Sequence, residues 1–157
     1  MDGEVVTTQN GKGQTLVEVA ATAEENRVVV TQNGKGQTLV KLTTTTDGTG
    51  VVETQNGKGG TLVEIGATAD GEGAIKTENG KGKALVQIGA SNSGGGHLST
   101  LNLEGQVLVD LGANVEGTGV VTTDNGKGQS LVVLSANSDG GVIGTLNNQG
   151  EITSQTP

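Results

Sequence analysis

The sequence predicts an all-β chain: an antiparallel meander of seven 23-residue β-hairpin repeats, about fourteen short strands, closed into a ring or barrel by its terminal half-repeats. Three observations carry this. Asn falls at 10, 33, 56, 79, 102 and 125, a constant step of 23, and returns at 147 after the loss of one residue near Asp139-Gly140. The segment Thr-Gln-Asn-Gly-Lys-Gly-Gln-Thr-Leu-Val at 8–17 recurs unchanged at 31–40. No stretch has a helical period, and 29 glycines would each weaken a helix by about 1 kcal/mol. The reading is one repeat domain, 1–157, with half-units 1–9 and 147–157 around units 10–32, 33–55, 56–78, 79–101, 102–124 and 125–146.

Each unit reads as two strands and two turns. Asn-Gly signals a type I′ turn, which needs positive φ at both central residues. A first strand follows, as in Thr15-Leu16-Val17-Glu18-Val19, and then an acidic turn such as Asp47-Gly48, Asp70-Gly71, Glu116-Gly117 or Asp139-Gly140. A second strand, Val28-Val29-Val30-Thr31 or its equivalent, closes the unit.

With Asn10-Gly11-Lys12-Gly13 as a four-residue turn, Thr8 lies opposite Thr15 and Val6 opposite Val17, and Val17 then pairs with Val29. Side chains alternate along a strand, so one level of one face holds Val6, Val17, Val29, Val40, Val52, Val63, Ile75, Val86, Leu98, Val109, Val121, Val132 and Ile143. This aliphatic belt is the expected core or lumen lining. Val19, Leu42, Ile65, Ile88, Leu111 and Leu134 form a second layer on that face. Glu18, Lys41, Glu64, Gln87 and Asp110 face solvent, and Leu16, Leu39, Leu62, Leu85, Leu108 and Leu131 point away from the belt as a satellite cluster between hairpins.

The chain begins on a second strand, from Gly3 to Gln9, and ends on a first strand after Asn147. Two complementary halves predict that the terminal strands pair, within one chain or between chains, because an open edge is an aggregation hazard. Ser154 replaces Val at the belt level of the closing strand. In outline, the Asn-Gly-Lys-Gly repeats and half-unit ends resemble the ring-shaped hairpin-repeat barrels called β-flowers, and more distantly the strand-sharing closure of β-propellers. That resemblance is architectural and implies a ring of hairpins. Small barrels of about eight strands are plugged by their side chains, so a fourteen-stranded ring should keep an apolar lumen, flatten into two sheets, or be filled by something else.

Composition narrows the chemistry. The formal charge is −8, and Phe, Trp, Tyr and Cys are absent. Negative charge and the lack of rings for base stacking argue against nucleic acid, and the lack of Cys excludes disulfides and thiolate metal sites. No stretch approaches 18 apolar residues and no basic-then-apolar leader is seen, so the expectation is a cytosolic protein or a piece of a longer one, its compartment open. Strands of about six residues are too short for a membrane barrel, which needs roughly 9–11 per strand.

Lys12, Lys35, Lys58, Lys81 and Lys127 share one turn position, interrupted by Glu104 and Gln149, while Glu24, Glu25, Asp47, Asp70, Glu72, Glu116 and Asp139 occupy the opposite turns. A meander therefore gains a basic and an acidic rim, either simply solvated or available for head-to-tail stacking or anions. Thr8, Thr31, Thr54, Thr77, Thr100, Thr123 and Thr145 form an array that is better read as cross-strand pairing than as ice binding. His97 stands alone, without a carboxylate at ligand spacing. Asp70-Gly71-Glu72 lacks the alternating ligands of a calcium loop, and Gly94-Gly95-Gly96 precedes a strand, not the helix of a phosphate loop. No Ser/His/Asp constellation is legible. The expectation is a non-enzymatic structural or interaction module without cofactors, its partner itself or a larger surface or fibre-like assembly. The alternative is a monomeric closed ring holding an apolar ligand or lipid tail against its Val-lined lumen.

Overall fold

A computed structural model describes residues 5–21, 27–90 and 95–156. Gly3, Glu24, Glu25 and Gly94 lie outside them.

 The first acidic turn falls in that group. The chain divides into two compact units, Met1–Gly82 and Lys83–Pro157, each described by itself. The first holds β1 (Val6–Gln9), β2 (Thr15–Ala21), β3 (Arg27–Gln32), β4 (Thr38–Thr44), β5 (Gly50–Gln55), β6 (Thr61–Ala67) and β7 (Gly73–Glu78). The second holds β8 (Ala84–Ala90), β9 (Gly96–Leu101), β10 (Val107–Ala113), β11 (Gly119–Asp124), β12 (Ser130–Asn137), β13 (Gly140–Leu146) and β14 (Ile152–Thr156). Within each unit, strands adjacent in sequence pair antiparallel.

The all-β meander is therefore present, but among the described residues no strand pair closes it into the expected ring. Within each unit the strand order follows the sequence, β1 to β7 in the first and β8 to β14 in the second. β1 pairs with β2 and β14 with β13, and every residue of β1 and β14 is exposed.

The Asn turns correct the expected turn type. Gly13 N–H donates to the Asn10 carbonyl at 2.9 Å and Asn10 N–H to the Gln14 carbonyl at 3.0 Å, closing a three-residue loop. Positive φ falls on Gly13, at 74°, and on Gly36, Gly59, Gly82, Gly105, Gly128 and Gly150, the last residue of each turn. Gly11, Gly34, Gly57 and Gly126 keep ordinary φ, so these turns are not type I′. The Asn79 turn differs from them in also giving Gly80 a positive φ, 73°. The acidic turns use the same loop, with Gly48 N–H on the Thr45 carbonyl at 3.0 Å. At Asn137↔Gly140 the loop shortens by one residue, which is where the 23-residue step is lost.

The longer loop moves the register. Gln9 pairs with Thr15 and Thr8 with Val17, so Leu16 is the extra residue of a β-bulge. One residue from the loop and one from the bulge shift each such pair by two. A shift of two preserves the alternation, so each side chain stays on its expected face while its level changes. The single belt thus becomes two rows. One alternates Thr and Val: Thr8, Val17, Thr31, Val40, Thr54, Val63 and Thr77 in the first unit, and Val86, Thr100, Val109, Thr123, Val132 and Thr145 in the second. The other is aliphatic from β1 to β7 and from β8 to β13, ends on Thr156 in β14, and merges the expected second layer with the remaining belt residues.

These faces are thinly covered. Among the described residues only Ala20 and Ser99 are buried, and no belt residue is.

The turn geometry makes a test. Gly36→Ala places a side chain at a φ of 75° and should cost about 1–2 kcal/mol, more than Gly34→Ala, whose Cβ would lie 3.7 Å from Gln14 Oε1. Denaturant unfolding followed by far-UV circular dichroism measures both; a larger cost at Gly34 would return the turn to type I′.

Candidate interaction surface

The aliphatic row is built by register. In the first unit Val6 pairs with Val19, Val19 with Val29, Val29 with Leu42, Leu42 with Val52, Val52 with Ile65 and Ile65 with Ile75. In the second, Ile88, Leu98, Leu111, Val121, Leu134 and Ile143 continue the same pattern. Val6 at 59% and Ile143 at 50% are the most exposed members, and between them the strands that follow the Asn turns present Leu42 at 44% and Ile65 at 45%. Isolated exposed aliphatics are ordinary on a protein surface, but an unbroken row across seven strands is a patch.

The opposite face mixes charged residues with Val28, Val30 and Val51 and is better covered. Lys41 pairs with Glu53, Glu53 with Glu64, and Glu64 with Lys76. Lys76 Nζ lies 2.9 Å from Glu78 Oε1 and 3.7 Å from Glu64 Oε1. The hydrogen bond from Lys76 to Glu78 raises its pKa; partial burial opposes this and the charge of Glu64 adds to it. Its stabilising contribution is therefore complete below the ordinary lysine value and is lost as pH rises through the folded value above it.

In the second unit this face holds His97, Ser99 and Asp110. Alternation puts all three on one side; Ser99 pairs directly with Asp110, and His97 Nε2 lies 3.5 Å from Asp110 Oδ1. His97 is therefore not without a carboxylate, as the sequence reading held. Its ring fits because Gly89 is its cross-strand partner and because a Cβ on Gly112 would come 3.9 Å from its Nδ1. The parity of positions 97 and 110 was the available signal. Ser99 is 1% exposed, so a substrate has no access to its hydroxyl in this arrangement. No group of three or more metal-ligating side chains occurs among the described residues.

The turn ends carry the charged rims. Lys12, Lys35, Lys58 and Lys81 in the first unit, and Lys127 in the second, are all exposed at the third position of their turns. Each donates its backbone N–H to the Asn side-chain oxygen two residues earlier. Asp47, Asp70 and Glu72 in the first unit, and Glu116 and Asp139 in the second, are exposed in the opposite turns.

Beneath the lysines lies a hydrogen-bonded ladder not read from the sequence. Asn10 Oδ1 accepts from Lys12 N at 2.9 Å and Gln14 N at 3.1 Å, while Asn10 Nδ2 donates to Gln14 Oε1 at 2.7 Å. Gln14 Nε2 then donates to the Gly34 carbonyl in the next Asn turn. A Cβ on Gly57 would meet Gln37 Oε1 at 3.3 Å and Asn33 Nδ2 at 3.6 Å. Gly57 is thus explained by the neighbouring hairpin's side chains and not by its own φ, whereas a Cβ on Gly11 would meet nothing within 4 Å.

No protein-family model matches this chain, and no curated protein matches it. Among the described residues no helix is long and apolar enough to cross a membrane.

Asn33→Ala removes the acceptor for Lys35 N and Gln37 N and should cost about 1–2 kcal/mol in urea unfolding. Asn33→Asp retains that acceptor and should cost less. Equal losses would assign the effect to the amide group of Asn33 and not to its oxygen.

Proposed function

We propose that this chain is a non-enzymatic structural β-repeat module that assembles with further copies of itself through its aliphatic sheet face. The exposed aliphatic row carries the reading. Seven strands about 4.8 Å apart, bearing two rows of side chains, span roughly 34 by 13 Å, or about 430 Å² per unit. Each such face is about half of the ~800 Å² per partner of a standard protein interface. The rows repeat a short list of residues, so the face can meet a second copy of itself, as in a two-sheet sandwich with a separation of about 10 Å.

Near-identical hairpins support a scaffold role, because each repeat offers the same groups at the same spacing instead of one differentiated site. The charged rims lie at the strand ends, away from this face, and keep the assembly hydrated.

Size-exclusion chromatography with light scattering tests the reading, with refractive-index detection because the chain has no aromatic residue. The native chain should elute as a dimer or larger species. Leu42→Lys combined with Ile65→Lys should shift it toward the 15.5 kDa monomer without changing its far-UV spectrum, since both positions are already exposed. A native chain that stays monomeric at high concentration overturns the reading and favours an apolar ligand on the same face.

A further inference from the structure

The Asn-Gly turns are alike in sequence but not in how the asparagine amide is held. We infer that Asn56 is a modification site, the Asn-Gly pair of the first unit that deamidates faster in the folded chain than Asn10 or Asn33. The inference is independent of the assembly reading.

In this reaction the Gly57 backbone nitrogen, after losing its proton to hydroxide, attacks Cγ of Asn56. A C–N bond forms and negative charge develops on Oδ1. Nδ2 takes a proton from water and leaves as ammonia, closing a cyclic imide. Water then opens either imide C–N bond, giving aspartate or isoaspartate. The net change is uptake of one water and release of one ammonia.

The turn supplies part of the transition-state environment. Asn56 Oδ1 accepts from Lys58 N at 2.9 Å and Gly60 N at 3.0 Å, so two backbone donors already point at the oxygen on which charge develops. Gly57 adds no side chain beside the attacking nitrogen. Asn10 and Asn33 have the same pair of donors, so this feature alone does not distinguish them.

The difference lies at the leaving group. Asn10 Nδ2 is bonded to Gln14 Oε1 at 2.7 Å and Asn33 Nδ2 to Gln37 Oε1 at 2.8 Å. These bonds fix the amide plane and must break before Cγ can turn toward the glycine nitrogen and ammonia can leave. At Asn56 the fourth residue on is Gly60, which offers no side-chain acceptor. Asn56 Nδ2 reaches instead to the Gly80 carbonyl at 3.4 Å, a long and weak bond. The glycine is required here, because a Cβ on Gly60 would collide with the Gly80 carbonyl oxygen. Close approach of two hairpins therefore removes the clasp that protects the neighbouring turns.

The repeat makes the test direct. Asn10, Asn33 and Asn56 are each followed by Gly-Lys, so trypsin releases each in its own peptide. The full-length chain is incubated at mildly alkaline pH, folded or in denaturant, then digested and mapped by mass spectrometry. Folded protein should convert at Asn56 several-fold faster than at Asn10 or Asn33, and the difference should vanish in denaturant. Gln37→Ala should raise the rate at Asn33 toward that of Asn56. Equal folded rates, or an unchanged Asn33 rate in the Gln37→Ala chain, would overturn the assignment.

Discussion

An asparagine side chain that takes the place of a backbone carbonyl inside a turn holds the repeat together. In each Asn turn with a full set of described bonds, Oδ1 accepts two backbone N–H groups that the tight loop would otherwise leave unpaired. The final glycine of the loop takes the left-handed conformation, and the strands leave in a fixed direction. Asn114 does the same in an acidic turn, accepting from Glu116 N and Thr118 N at 3.0 Å. Thr45 and Thr68 contribute hydroxyls in its place at the equivalent position. With only Ala20 and Ser99 buried among the described residues, local turn chemistry and the strand ladder carry an unusual share of the fold.

That constraint also sets the surface. The loop is one residue longer than a two-residue hairpin turn, and the bulge at Leu16 adds another. Their sum is even, so the apolar and polar faces survive the shift. Their levels do not. Val17 meets threonines and Val29 meets Val19 and Leu42, which gathers the bulkiest aliphatics into one row. The same shift makes Asp110 a diagonal neighbour of His97. Small residues at 89 and 112 then leave the imidazole room to reach it.

Departures from the consensus are informative because the other positions are so uniform. Gly60 replaces the glutamine that clasps Asn10 and Asn33, and it does so where the Gly80 carbonyl comes too close for a side chain. Leu103 replaces the glycine after Asn102 and remains 57% exposed, so a side chain fits at that turn. Asn148 occupies the same position in the last turn and accepts from Asn125 Nδ2 at 3.4 Å. A repeat tolerates substitution where a neighbouring hairpin leaves space and resists it where backbones touch.

The sequence by itself determined the all-β meander, the strand faces, the rims and the point where the 23-residue step is lost. Those follow from short-range rules: glycine and asparagine mark turns, and alternation assigns faces. Turn type, row membership and the Asn–Gln clasp were decided by tertiary structure, because each depends on a single-residue difference in loop length or on a neighbour 20 or more residues away. Closure was likewise beyond the repeat pattern. Complementary half-repeats permit β1 and β14 to pair, but sheet twist and curvature govern whether edges meet, and neither is written in a period.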